Sequence, residues 1–430
     1  MAITKRGLVL GSTAIALSTV AVTGAGVHLS QSQAFIQNSP KELIDEVWQI
    51  INYQYVDTSF NAQDWQAVRQ EYLGKSYKTQ EDAYKAIREM LEKLGDPYTR
   101  FMDPEEFKNM QIDTSGELTG VGIQIAKDEE TDQLMVISPI EDSPAFDAGI
   151  LAKDIIIKID GVSTKGMDVN EAVKLIRGKP GTPVTLTIQR DQGERDYQLV
   201  RARIEIHPVK AHVENSSIGK LGYIRLTQFS AQASQEMRDA IKKLEDQQVQ
   251  GYILDLRSNP GGLLYSSIDI ARMWLDEGAI VSTVDRGGEK ERKWANNNAL
   301  TNKPLVILVD GGSASASEIL SGALQDNDRA VLVGTKTFGK GLVQSVRSLG
   351  DGSGLAVTIA KYLTPSGRDI NKHGIEPDFV VEMDEAERKK LQSDRELIGT
   401  NQDLQFNKAL EILTQKVQAQ KGSSAQATGQ

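Results

Sequence analysis

The run Gly311-Gly312-Ser313-Ala314-Ser315-Ala316-Ser317-Glu318-Ile319 follows the apolar segment Leu305–Val309 and opens a stretch with helical spacing. Small residues at a sharp strand-to-helix turn let a hydroxyl stand exposed. The unpaired N–H groups at such a turn can stabilise an oxyanion. The same residues also make an ordinary serine-rich helix cap, and taken alone they favour that plainer reading. A second run, Gly334-Thr335-Lys336-Thr337-Phe338-Gly339-Lys340-Gly341, nearly matches the phosphate-binding pattern Gly-x-x-x-x-Gly-Lys-[Ser/Thr]. Its last position is Gly341, so the hydroxyl that would ligate magnesium is missing. A nucleotide hydrolase is the minor alternative this leaves open.

A hydroxyl nucleophile needs a base. Of four histidines, His207, His212 and His373 lie in the body of the chain, and none sits in a motif. Lys340, flanked by glycines, can bring its stem close to a serine. Its amine must be neutral to accept a proton, which requires burial to lower a pKa of about 10.4 in water. Cysteine is absent, which excludes disulfides, thiol nucleophiles and Cys-ligated metal clusters. No His-Glu-x-x-His run occurs, so a His-built metal site is not expected. The net charge of −10 comes without a Lys/Arg cluster, which argues against nucleic acid as a partner.

These segments must be held by folded elements. With 430 residues, 39% of them apolar, the chain suits two to three soluble domains rather than a multi-span membrane protein. Residues 1–34 carry Lys5 and Arg6 and then the uncharged run Leu8–Val27, the form of a secretory signal or a retained membrane anchor. Residues 35–112 read as helical. Ser39 is placed as an N-cap before Pro40, and a second helix is expected over 79–94. Residues 113–205 hold short β-rich runs around one helix at 170–176, as in a small barrel or sandwich. Residues 206–382 alternate strand and helix, as in an α/β layered domain. Residues 383–430 read as a charged helical region with a disordered tail from 420.

Together with Asp255-Leu256-Arg257-Ser258-Asn259-Pro260-Gly261-Gly262, the two chemical runs closely resemble the carboxyl-terminal processing proteases. Gly120-Val121-Gly122-Ile123, Ser143-Pro144-Ala145 and Ile176-Arg177-Gly178 resemble that family's PDZ domain. The resemblance covers residues 39 to 378 and is nearest the exported cyanobacterial type. It implies an α/β fold: a crotonase-like protease core with an inserted β-rich PDZ domain and an N-terminal helical region. It further implies Ser315 as nucleophile, Lys340 as base and Gln344, one helical turn on, as the residue orienting them. The oxyanion hole would be the N–H groups of Gly262 and Ala316, with Asp255, Arg257 and Glu318 holding the loops. The resemblance calls for no metal or organic cofactor. Gly120, Val121, Gly122 and Ile123 would bind a substrate's terminal carboxylate, and Arg177 would couple the PDZ domain to the protease. The implied partners are proteins or peptides with a free C-terminus, such as the photosystem II reaction-centre protein precursor, in the periplasm or thylakoid lumen. The leader would allow membrane association, and the N-terminal helices a homodimer. The rival from another class is a non-catalytic PDZ scaffold or ligand carrier on the same fold.

Overall fold

The computed structural model describes residues 39–128, 131–140, 142–190, 193–288, 290–394 and 397–427. The expected targeting segment at 1–34 lies outside the described residues. The chain forms two compact units.

The smaller unit runs to Asp103 and takes in residues 285–288 and 342–361. Its first helix, Pro40–Gln54, is capped by Ser39, whose N–H donates to Glu42 Oε2 at 2.8 Å while its Oγ accepts from the Glu42 N–H. This reciprocal pair satisfies two donors that a helix start leaves open. Thr79 and Asp82 repeat the arrangement on Gln80–Glu92, the second expected helix. A further helix, Trp65–Gly74, buries only Trp65, Val68 and Tyr72, too sparse a stripe to read from the sequence. The three helices enclose one core with Phe101, Leu355 and Val357 of an antiparallel sheet. In that sheet Gly354–Leu363 pairs with Arg100–Met102 and with Leu342–Ser348. Strands 342–348 and 354–361 thus fold with the N-terminal helices.

The larger unit holds a β-rich part and a layered part. The β-rich part is an antiparallel sheet in the order 123–127, 134–139, 155–159, 183–190, 193–200. Strand Ile123–Lys127 is at its edge. Ala172 and Ile176 of helix Val169–Ile176 share a core with Val121, Leu134, Val136 and Ile156. A two-stranded ladder, Glu117–Gly120 with Ala202–Glu205, closes its base.

The layered part is a six-stranded sheet in the order 209–216, 219–226, 252–255, 305–309, 331–334, 379–380, parallel except for its first pair. Leu305–Val309 is buried on both faces, which is why its sequence is continuously apolar. Leu221, Tyr223, Ile253, Val306, Leu308 and Val333 pack against Phe406, Ala409, Ile412, Leu413 and Val417 of the C-terminal helix. That helix runs from Leu404 to Ala427, past residue 420. It is anchored by its buried face.

Candidate active site

Ser315 stands between strand Leu305–Val309 and helix Ala316–Asp326, at φ 53° and ψ −110°. A non-glycine residue rarely adopts this conformation, which costs about 1–3 kcal/mol and persists only when its surroundings fix it. The fixing group is Glu318, which is fully buried. Its Oε2 accepts the Ser315 N–H at 2.9 Å and the Lys340 N–H at 2.8 Å. Its Oε1 accepts the Thr337 hydroxyl at 2.6 Å and the Gly339 N–H at 2.7 Å. One carboxylate therefore ties the serine turn to the lysine loop. Its negative charge also sits in the first turn of a helix, where the helix dipole favours it. A further bond, Phe338 N–H to the Ser313 carbonyl at 3.1 Å, laces the same two segments.

The three serines of the run, alike in type, differ in what their hydroxyls do. Ser313 donates to the Leu256 carbonyl at 2.9 Å and Ser317 to the Asn259 carbonyl at 2.9 Å; both are fully buried. Each staples the turn to the neighbouring loop. The Ser315 side chain lies near Tyr362, and among the described residues its hydroxyl is given to no main-chain carbonyl. Lys340 is partly buried.

The loop after strand Tyr252–Asp255 supplies the third wall. Asn259 is buried; its Nδ2 donates to the Leu226 carbonyl and its Oδ1 accepts the Gly261 N–H, at 2.8 and 2.9 Å. Gly261 lies so close to the serine turn that a Cβ there would come within 2.7 Å of the Ala314 carbonyl oxygen and 2.9 Å of the Ala316 nitrogen. Gly262, at φ 140°, has its Cα against the Phe229 carbonyl, where a Cβ would approach to 2.3 Å. Only glycine fits at either position. Among the described residues, neither the Gly262 N–H nor the Ala316 N–H meets an acceptor. The pair expected to hold an oxyanion is thus unpaired, beside the one serine hydroxyl not given to a main-chain carbonyl.

Asp255 and Arg257 form a buried network below this loop. Arg257 donates to Asp255 and to Asp403, each at 2.6 Å, and Tyr223 donates to Asp255 at 2.7 Å. Burial alone would raise the Asp255 carboxyl, but the Arg257 guanidinium outweighs it and holds the carboxyl below its ordinary value. The network fastens the end of a central strand to the start of the C-terminal helix.

Gln344 lies in strand Leu342–Ser348, which corrects the helical turn expected after Lys340. A bulge separates Val343 from Gln344, and Gln344 Nε2 lies 3.5 Å from Thr358 Oγ1 within the smaller unit. The same strand removes the phosphate-loop alternative, since residues 335–341 lead into a strand and not into the helix that such a loop opens. His207 is bonded to Glu236 at 2.7 Å, and that bond raises its pKa. His212 makes a tilted ring contact with Tyr223, and His373 is exposed in the loop whose main chain packs against Gly339.

In the PDZ-like part, Gly122 is at φ 79°, and a Cβ there would strike Ser143 at 2.2 Å. The Val121 carbonyl accepts from Ala145 and the Gly122 carbonyl from Ile140, which turns the loop's N–H groups the other way. Among the described residues neither the Val121 nor the Gly122 N–H meets an acceptor. Arg177 donates to Asn109 Oδ1, and Lys174 pairs with Glu105 at 2.7 Å, so helix Pro104–Ser115 is tied to the end of helix Val169–Ile176. The site residues that sequence reasoning missed are Asn259, Thr337 and Tyr362. Asn259 lay within a quoted motif, whereas Tyr362 lay in no motif at all.

An unpaired N–H pair beside a strained serine on a layered sheet lies in the same unit as a PDZ-like module. The profile of peptidase family S41 matches residues 220–381, and that of the PDZ domain matches residues 135–190. A carboxyl-terminal-processing protease of Synechocystis sp. is 46% identical over 403 residues, covering 93% of each chain. Carboxyl-terminal-processing peptidase 3 of Arabidopsis thaliana, a chloroplastic protein, is 42% identical, over 77% of this chain and 67% of that one. A solved photosystem II D1 C-terminal processing protease superposes with a TM-score of 0.57 at 36% identity, covering 86% of this chain and all of that one. The chain belongs to the carboxyl-terminal processing proteases of peptidase family S41. No described helix is long and apolar enough to cross a membrane.

Proposed function

We propose that this protein is an exported Ser-Lys endopeptidase that trims proteins from a recognised C-terminus. The observation that carries the reading is the Glu318 carboxylate holding the Ser315 and Lys340 main chains together, 2.9 and 2.8 Å away. In this reading the neutral Lys340 amine takes the Ser315 proton as Oγ bonds to the scissile carbonyl carbon. The oxyanion accepts from the Gly262 and Ala316 N–H groups. The lysine then gives its proton to the departing amine, and water, activated by the same amine, releases the acyl group. Gln344 takes the orienting role that the family resemblance gives it, and Asp255 and Arg257 hold the loop. No metal or organic cofactor enters any step.

A fluorophosphonate probe tests the chemistry against the scaffold alternative. Labelling should fall on Ser315 and vanish in Ser315→Ala. A folded protein that takes no label would make the chain a PDZ scaffold instead.

The PDZ module accounts for substrate choice. The unpaired Val121 and Gly122 N–H groups point to a carboxylate, and the open edge of strand Ile123–Lys127 can pair with an extended peptide. A peptide with a free C-terminus should therefore be cleaved about 10–100-fold more efficiently than its amide, since a charge-assisted pair contributes roughly 1.5–3 kcal/mol. Equal kcat/KM for the two would remove the C-terminal recognition. Arg177, through Asn109, couples this module to the rest of the unit, and Arg177→Ala should change turnover while leaving fluorophosphonate labelling of Ser315 in place. The relatives' names place such enzymes in cyanobacteria and chloroplasts. The processing of the photosystem II D1 precursor in the thylakoid lumen, or a periplasmic counterpart, fits this chain. Membrane attachment through residues 1–34 and a homodimer belong to the same proposal.

A further inference from the structure

Asp403 immediately precedes the C-terminal helix and lies outside the motifs that carry the family resemblance. It is fully buried, and its two oxygens accept four donors. Oδ1 takes Arg257 Nη1 at 2.9 Å and the Phe406 N–H at 3.1 Å. Oδ2 takes Arg257 Nη2 at 2.6 Å and the Gly399 N–H at 3.1 Å. Gly399, at φ 76°, is packed so tightly that a Cβ there would come within 2.7 Å of the Tyr223 ring, whose hydroxyl donates to Asp255. The turn before the helix therefore presses on both charged residues at the end of strand Tyr252–Asp255.

The other acidic partner of the guanidinium, Asp255, stands two residues before Arg257. A pair so close in the chain moves together. The guanidinium's hold outside its own strand end comes from Asp403, with Gln405 Oε1 adding a bond to Nη1 at 3.1 Å. Arg257 leads directly into Ser258, which is at φ 57°, and from there the loop runs on to Gly261 and Gly262. A non-glycine residue keeps such a φ only where its surroundings over-determine it. On its far side Ser258 is fixed by Asp310, which accepts its N–H at 2.8 Å. On its near side the anchor is the Arg257 clamp.

Resting on the Ser-Lys reading, we infer that Asp403 is a positioning residue for the oxyanion hole: through Arg257 it fixes the start of the loop whose far end carries the Gly262 N–H. The C-terminal helix is then a working part of the active site as well as a cover for the sheet. Asp403 touches no reacting atom and takes no proton. It acts by keeping a donor still. A preorganised donor stabilises a developing oxyanion because it need not move when the charge appears.

The test is Asp403→Asn, which keeps the shape of the side chain. Both carboxylate oxygens face the guanidinium. Whichever way the amide turns, its NH₂ confronts an Arg257 N–H and leaves it without that acceptor. For the wild type, this variant and Leu413→Ala, four quantities are measured well below the thermal midpoints: kcat, KM, the second-order rate of fluorophosphonate capture at Ser315, and the midpoint itself. Leu413 is fully buried on the same helix, in the core it shares with the sheet. Deleting one oxyanion donor costs about 10²–10³-fold in kcat, and a donor displaced but still present costs less. Asp403→Asn is therefore expected to lower kcat and the capture rate together by about 10–100-fold, since the phosphonyl oxygen uses the same donors, with KM within about twofold. Leu413→Ala should lower the midpoint at least as far and leave both rates within about twofold. If Asp403→Asn does not fold, Gln405→Leu, which removes one neutral acceptor from Nη1, carries the same test, with an expected fall of about 3–10-fold in both rates. Wild-type kcat and capture in the folded variant, or equal losses in Leu413→Ala, would overturn the inference while leaving the dyad intact. A wild-type protein that the probe labels elsewhere than Ser315 would overturn both.

Discussion

Ser315→Ala and Lys340→Ala should each lower kcat for a free-acid peptide by about 10⁴–10⁶-fold, and the double variant should be no slower than either. Groups that act as one unit give this pattern, because once either is gone the other has nothing to do. The residual rate is what the oxyanion donors and substrate binding supply alone. The fold should survive. Ser315 is held through its N–H and Lys340 through its N–H, both to Glu318, and neither bond needs the side chain being removed. The Ser315→Ala change leaves the strained turn in place. Ser313→Ala and Ser317→Ala should do the opposite. Each deletes a buried hydroxyl bonded to a carbonyl of the neighbouring loop and so lowers stability by roughly 1–2 kcal/mol while leaving turnover measurable. Steady-state peptide cleavage beside thermal unfolding separates the two classes. A Ser313→Ala enzyme that is folded and dead, with Ser315→Ala active, would move the nucleophile two residues upstream.

That contrast also marks what the sequence could and could not disclose. The strand Leu305–Val309 was legible because a strand covered on both faces is apolar at every position. The helix starts at Ser39 and Thr79 were legible because capping is local chemistry. Strand Lys290–Trp294 was not, since four of its five residues are Lys, Glu or Arg and only pairing with Ala279–Asp285 makes it a strand. Strands 342–348 and 354–363 were missed for a related reason: their short alternations compete with the Gly-rich loops on either side. At the site, the serine run alone pointed more to a helix cap than to a nucleophile. Residue type cannot separate Ser313, Ser315 and Ser317, and the family resemblance supplied the choice. The structure adds a physical basis for it, because two of the hydroxyls are spent on main-chain carbonyls. Asn259 and Thr337 escaped because what they do depends on segments 19 to 58 residues apart meeting in space. Gln344 was placed on a helix because a spacing of four suggests one, yet its strand, with a bulge beside it, sets its direction instead.

Glu318→Gln should cost about 2–4 kcal/mol of stability and at least about 100-fold in kcat, although it changes one oxygen to a nitrogen and touches neither reacting group. The carboxylate accepts four donors, two on each oxygen, with no exposure to water. An amide can accept on one side only. If its NH₂ faces the Ser315 and Lys340 N–H groups, both lose their acceptor. If it faces the other way, the Thr337 hydroxyl can accept from it, but that oxygen already takes the Ile375 N–H, and the Gly339 N–H is left unpaired. The second arrangement is the cheaper, so the amide should settle there. A buried unpaired N–H costs about 1–3 kcal/mol, and the charge of the three surviving bonds is lost as well. In a chain of this size each kcal/mol lowers the thermal midpoint by roughly 2–4 °C or less. The catalytic loss follows from geometry. Gly339 directly precedes Lys340, at φ 90°, and freeing its N–H lets the lysine loop drift from the serine turn. A displacement of about 1 Å is enough for a 100-fold loss where the reacting groups must meet in line. KM should hold, since the PDZ module and its Gly120–Ile123 loop are untouched. Fluorophosphonate capture at Ser315 should fall with kcat, because it draws on the same serine and the same base. A Glu318→Gln enzyme with wild-type kcat would show that the serine and lysine segments hold their places without this carboxylate. It would return the weight of the site to the Phe338–Ser313 bond and the packing around it.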